Sequence, residues 1–215
     1  MVVNTLRTAH PPGTWSVARN IEIKARVPDL SRLRARVASR APAPPAVLVQ
    51  TDTFFVVPRG RLKLREFAGG AAELIFYERA DQPGPKESLY SRHVCEQEAT
   101  EKTEDRSLFP LFPPVHKSSE PKALAALLGR ALGIRGVVEK RREVFLIGRS
   151  RIHLDEVRGL GSFLEIEVVL DDGDAAVDGE REARALLAAF DIPESALVAP
   201  AYVDLLEDAR DGARR

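Results

Sequence analysis

In several separate stretches of this 215-residue chain, ionisable side chains occupy every second position. RNIEIKARV (19–27) sets Glu22, Lys24 and Arg26 against Ile21, Ile23 and Ala25. RLKLR offers Arg61, Lys63 and Arg65, FYER offers Tyr77 and Arg79, and EKRR offers Lys140 and Arg142. RIHLDE adds Arg151, His153 and Asp155, and FLEIEV adds Glu165 and Glu167. Residues i and i+2 of a β-strand point the same way, so each set shares one face, opposite a face of large apolar residues. Arg and Lys on adjacent strands can grip several phosphate oxygens, Arg as a bidentate fork and Lys as a point charge. Glu22, Glu165, Glu167 and Asp155 are hard oxygen donors suited to Mg²⁺ or Mn²⁺, ions that bind through a few carboxylates plus substrate phosphates and water. The acids also offset the cations, which makes an enclosed site tolerable before substrate arrives.

Each strand taken alone also fits a blander arrangement, a polar face turned to bulk water. His153 is then an ordinary polar barrel residue and Tyr77 a packing residue. A solvated face usually mixes signs and adds Thr, Ser and Gln, whereas these strands carry mostly full charges. That shared habit favours an enclosed polar space.

The elements that must position these residues follow from periodicity. Residues 1–18, with Pro11, Pro12 and Gly13, read as an amino-terminal tail. After the first strand, Asp29 caps a helix within 28–40 that carries Leu30, Leu33 and Val37 at helical spacing and stops at APAPP. VLVQTDTFFVV, RLKLREF and AELIFYERA read as strands, and PRG as a turn. Residues 93–120, polar, charged and containing LFPLFPP, read as a disordered insertion or long loop. PKALAALLGRALG follows as a helix, then VVEKRREVFLIG, SRIHLDEV and SFLEIEVVL as strands. GEREARALLAAFD is a helix, and ESALVAPAYVDLLEDA a loop and short closing helix before a tail at 207–215. A faint repeat at an offset of ninety aligns RLKLREF with RIHLDEV, Phe55 with Phe145, and Ile75 and Tyr77 with Glu165 and Glu167.

Lys plus Arg and Asp plus Glu number 32 each, so net charge is zero and a whole-surface attraction to nucleic acid or anionic membrane is not indicated. Aromatics are 6% and fall mostly on apolar faces, which argues against a base-stacking surface. No apolar run nears the ~20 residues of a membrane span. The single cysteine, Cys95, excludes an intrachain disulfide and a multi-cysteine metal site, and fits a reducing, cytoplasmic compartment. The acid-free first 21 residues leave a mitochondrial presequence as the alternative.

Taken in order, NIEIKARV, TDTFFVVPRGRLKLREF, AELIFYERADQPGPK, VVEKRREVFLIG and RIHLDEVRGLGSFLEIEVVL resemble the CYTH family, the class IV adenylate cyclase and thiamine triphosphatase group of triphosphate tunnel metalloenzymes. The resemblance covers most of residues 19–206, and the whole motif string is most similar to the class IV adenylate cyclase branch. It implies a mainly β fold, an eight-stranded antiparallel closed barrel with flanking helices, whose polar tunnel binds a triphosphate and Mg²⁺ or Mn²⁺. By that resemblance Lys24, Lys63, Arg65, Arg79, Lys140 and Arg142 would hold phosphates. Glu22, Glu165 and Glu167 would hold metal, with Asp155 as a further acid. The implied substrate is ATP, thiamine triphosphate or tripolyphosphate, handled by a monomer or homodimer. Three departures stand out: Asn20 replaces the first glutamate of the E-x-E-x-K signature, Thr14 and Trp15 stand where the bacterial cyclases begin with His-Phe, and the 93–120 insertion has no counterpart in compact members.

Overall fold

The computed structural model describes residues 18–95 and 121–212. The expected amino-terminal tail and most of the expected insertion lie outside the described residues. In chain order the elements are β1 (Ala18–Arg26), α1 (Leu30–Ala38), β2 (Ala46–Phe55), β3 (Arg61–Phe67), β4 (Ala72–Arg79) and β5 (Lys86–Cys95). Then come α2 (Pro121–Leu132), β6 (Ile134–Ile147), β7 (Ser150–Val157), β8 (Gly161–Leu170), α3 (Ala176–Ala189) and α4 (Tyr202–Gly212). The strands close into an eight-stranded antiparallel barrel in the order β1-β5-β4-β3-β2-β6-β7-β8.

The faint repeat has a structural basis. Each half of the barrel runs strand, helix, three strands, and the halves meet where β2 pairs with β6 and β1 with β5. The equivalent strands β1 and β5, and β2 and β6, therefore sit side by side, where the axis of an approximate internal two-fold passes.

β5 is the strand that periodicity does not reveal. Its outward positions, Glu87, Leu89, Ser91 and His93, mix polar and apolar residues, so no clean alternation marks it. It continues through Cys95, past residue 93 where the insertion was expected to begin. α4 likewise runs to Gly212, beyond the 206 boundary expected from sequence, after a single 3₁₀ turn at Glu194–Ala196. α1 forms as its sequence requires, with the Asp29 carboxylate accepting from the Arg32 amide at 2.9 Å.

Helices cover the apolar outer face. Ile21, Ile23, Ile152, Leu154, Leu164 and Ile166 pack with Leu33 and Val37 of α1 and Ala183 and Leu187 of α3 in one core. A second cluster, under α2, joins Phe55, Leu64 and Ala72 to Leu124 and Leu128. Where α3 crosses β1, a Cβ on Gly179 would lie 2.7 Å from Ile21 Cγ1 and 2.9 Å from Leu170 Cδ2. Alanine in a helix gains about 1 kcal/mol over glycine, while overpacking a core costs about 1–3 kcal/mol. Both neighbours are buried and held between sheet and helix, so the steric cost wins. Gly179→Ala should lower stability by about 1 kcal/mol or more, seen as a lower urea midpoint at unchanged slope. A raised midpoint would show that α3 rides loosely on the barrel.

Candidate functional site

Inside the barrel the alternation of each strand turns polar. Asn20, Glu22 and Lys24 point into the lumen, and their neighbours Ile21, Ile23 and Ala25 point outward into the helix-covered core. Both faces of β1 are thus buried. The lumen is a cavity of ≈ 140 Å³ lined by all six phosphate-binding candidates, Lys24, Lys63, Arg65, Arg79, Lys140 and Arg142, and by Glu22, Glu165 and Glu167. Asn20, Tyr77 and Arg151 line it too. Of the other charges on these faces, Arg61 turns to Asp81 and Asp204, and Arg26 lies over the Phe163 ring at 4.9 Å.

The cations are organised by an acid, Asp52, that sequence reading passed over. It lies on β2 between Thr51 and Thr53 in VLVQTDTFFVV, where one carboxylate carries no alternation of charges. Arg65 donates to both its oxygens, Nε to Oδ1 at 2.8 Å and Nη2 to Oδ2 at 3.0 Å; Lys63 and Lys140 donate to Oδ2 at 3.1 and 2.8 Å. The other half of the barrel mirrors this pair with the roles exchanged. Arg142 of β6 donates from Nε and Nη2 to the two oxygens of Asp155 of β7, both at 2.6 Å. Asp52 faces Arg65, and Arg142 faces Asp155, as direct cross-strand partners.

Asp155 is the one expected metal ligand that the fold sets behind the lumen wall. It is fully buried, clamped by Arg142, and accepts from the Tyr202 hydroxyl at 2.8 Å. Arg142 Nη2 reaches on to Glu165 at 2.6 Å. Tyr202 opens α4 and closes one end of the barrel, edge-on to Phe163 at 5.0 Å, with Lys24 Nζ 4.3 Å from its ring centre. The segment before it supplies backbone acceptors. Ala199 O receives Arg79 and Lys86, both at 3.2 Å, and Pro200 O receives Lys24 at 3.4 Å.

The acids gather on the opposite arc. Glu22 stands across from Glu167, and Lys24 across from Glu165, in the β1–β8 register. Ligand atoms of His153, Glu165 and Glu167 all lie within 4.8 Å of one another.

The sequence matches the family model for the CYTH domain over residues 18–202. The chain belongs to the CYTH family. Its fold is similar to that of the PH1012 protein of Pyrococcus horikoshii, at 19% identity and a TM-score of 0.66, covering 86% of this chain and 98% of that one. It is also similar to a protein of Vibrio parahaemolyticus proposed to be an adenylate cyclase (18%, TM-score 0.62, 87% and 97% covered). A third is HpAC1 of Hippeastrum, proposed to be an adenylyl cyclase and described as having a dominant triphosphatase activity (15%, TM-score 0.55, 89% and 96% covered). At these identities the likeness is one of fold. No curated protein sequence matches.

Electrostatics inside this CYTH tunnel follow from burial working against pairing. Burial opposes the Asp52 charge most strongly, yet Arg65, Lys140 and Lys63 together outweigh it and hold the carboxyl well below its usual range. Burial, joined by Arg65 and Arg142, pushes Lys140 down to about 7. Burial and Arg79 push Lys86 down to about 8. Burial and the neighbouring Glu165 carboxylate raise Glu22.

The donor set suits a divalent cation. Glu22, Glu165 and Glu167 crowd like charges that such an ion would neutralise, and among the described residues the buried Asn20 Oδ1, on the lumen, and His153 Nδ1, beside Glu167, have no hydrogen-bond partner. Lys86, like Asp52, escaped the sequence reading, because its strand did. A face-sharing Lys-x-Ser-x-Tyr after the GP turn is the signal that was there to find.

Removing the charge of Asp52 leaves three buried cations without their shared partner. Asp52→Asn should cost about 3–5 kcal/mol, the range for breaking a buried ion pair from one side, measured by chemical denaturation at pH 7. A cost below about 1 kcal/mol would show that the cations are solvated and the lumen open.

Proposed function

We propose that the protein is a divalent-metal-dependent enzyme that draws the triphosphate of a small molecule into the barrel and cleaves it, in the manner of a class IV adenylate cyclase, converting ATP to cyclic AMP and pyrophosphate. The observation that carries this reading is the convergence of cations and acids on one lumen. Lys24, Lys63, Arg65, Arg79, Lys140 and Arg142 line one cavity with Glu22, Glu165 and Glu167.

In this reading the cations hold the phosphate oxygens, with Arg65 and Arg142 pre-set by Asp52 and Asp155 so that little reorganisation is needed on binding. Asp155 acts through Arg142 as a positioning residue. Glu22, Glu165 and Glu167 would hold Mg²⁺ or Mn²⁺, which supplies charge neutralisation at the phosphates. Catalysis of this type rests on positioning and electrostatics more than on covalent chemistry. A second reading, hydrolysis of tripolyphosphate or an organic triphosphate such as thiamine triphosphate, is favoured by the activity named for the Hippeastrum protein. It uses the same cationic cradle, because that cradle engages the phosphates and not the base or sugar.

Incubation with Mg²⁺ or Mn²⁺ and ATP, thiamine triphosphate or tripolyphosphate separates these readings. Cyclic AMP with pyrophosphate is the expected product, and orthophosphate from one substrate would assign the hydrolase. Binding without turnover would make the barrel a binding module. Lys63→Ala and Arg142→Ala should each weaken triphosphate binding by about tenfold or more, the worth of one charge-assisted contact. If both bind as the parent does, these strands do not face the ligand.

The lowered lysines also give binding a proton signature. Lys140 at about 7 and Lys86 at about 8 are largely neutral at pH 9, and a bound polyanion favours their charged forms. Tripolyphosphate binding should therefore take up protons at pH 9 and almost none at pH 6, read by calorimetry in buffers of differing ionisation enthalpy. Equal uptake at both values would place the titrating groups elsewhere.

A further inference from the structure

We propose that His153 is a direct ligand of the tunnel's metal through Nδ1, so that the site offers one nitrogen beside its carboxylates and prefers Mn²⁺ to Mg²⁺. The proposal rests on the reading above that the tunnel holds a divalent cation. It goes beyond the resemblance, which implies carboxylates alone.

Three observations carry it. His153 is 4% exposed and its Nδ1 has no hydrogen-bond partner. A buried nitrogen without a partner is unfavourable, and ligation would supply one. Nδ1 lies 3.7 Å from Glu167 Oε1, and with Glu165 the ligand atoms fall within 4.8 Å of one another. Ligands of one ion at about 2.0–2.2 Å sit about 3–4 Å apart, so only small side-chain shifts close the set. Finally, His153 is paired with Glu165 in the β7–β8 register, and Arg151 with Glu167, so two adjacent strands present the ligands from a rigid sheet.

Ligation requires the neutral imidazole. Imidazole nitrogen suits the later transition metals best, and Mn²⁺, a transition metal bound mainly through oxygen, accepts it more readily than Mg²⁺, which demands near-ideal octahedral oxygen. Glu165 keeps a free oxygen while Oε2 receives Arg142, and Glu167 stands 3.6 Å from Arg151, so neither carboxylate is consumed by its cation.

The test is Mn²⁺ binding to the full chain without nucleotide, followed by electron paramagnetic resonance. Bound Mn²⁺ should show ¹⁴N hyperfine coupling from a coordinated imidazole, lost in His153→Ala. Mn²⁺ affinity in that variant should fall by about tenfold or more, while Mg²⁺ affinity changes by less than about threefold. His153→Gln, which keeps bulk and offers oxygen, should narrow the preference for Mn²⁺ over Mg²⁺ even if His153→Ala proves unstable. Wild-type Mn²⁺ binding without ¹⁴N coupling, or coupling that survives His153→Ala, would overturn the ligand assignment and leave the metal reading intact. Absence of any Mn²⁺ or Mg²⁺ binding to the wild-type chain would overturn the metal reading itself.

Discussion

The interior of this barrel depends on carboxylates buried among cations. Taking a charge out of water costs several kcal/mol even after relaxation, and eight lysines and arginines line the lumen. Asp52 lets three of them sit together by accepting from Lys63, Arg65 and Lys140 at once. Asp155 does the same for Arg142, and Glu165 and Glu22 share the remainder with Arg142 and Arg79. Without these acids the closed barrel would be a cluster of mutually repelling ions. With them, the guanidinium groups are fixed in orientation before any ligand enters.

The arrangement is economical because it is nearly repeated. The Asp–Arg pair of β2 and β3 and the Arg–Asp pair of β6 and β7 occupy equivalent places in the two halves, with the charges exchanged. The exchange divides the lumen. The β2–β3 half keeps Lys63 and Arg65 pointing inward, and the β7–β8 half keeps His153, Glu165 and Glu167. A cation-rich arc and an acid-rich arc follow from one architecture carrying two different strand sequences.

Helices make this inversion of an ordinary β-sheet possible. A strand with one apolar and one charged face normally turns its charge to water. Here α1, α2 and α3 cover the apolar outer faces, so the core lies outside the barrel and the charged faces have only the lumen left. Tyr202 and the acceptors of Ala199 and Pro200 close one end, which lowers the local dielectric and strengthens each remaining charge.

Alternation in the sequence settled which side chains share a face: Glu22 with Lys24, Lys63 with Arg65, Lys140 with Arg142, Glu165 with Glu167. Those sets survive in the fold because period 2 is a local property of strand geometry. β5 and its Lys86 were missed because their alternation is blurred, and Asp52 because a lone acid on its strand has no period. His153 and Asp155 were visible, but not the partners each would meet. The tertiary structure alone decided that, and decided that the charged faces turn inward. Lys140 meets Asp52 across 88 residues and Tyr202 meets Asp155 across 47. Such meetings are set by strand register and barrel closure, which depend on how every other strand pairs and on where the helices lie, and no local stretch of sequence contains them.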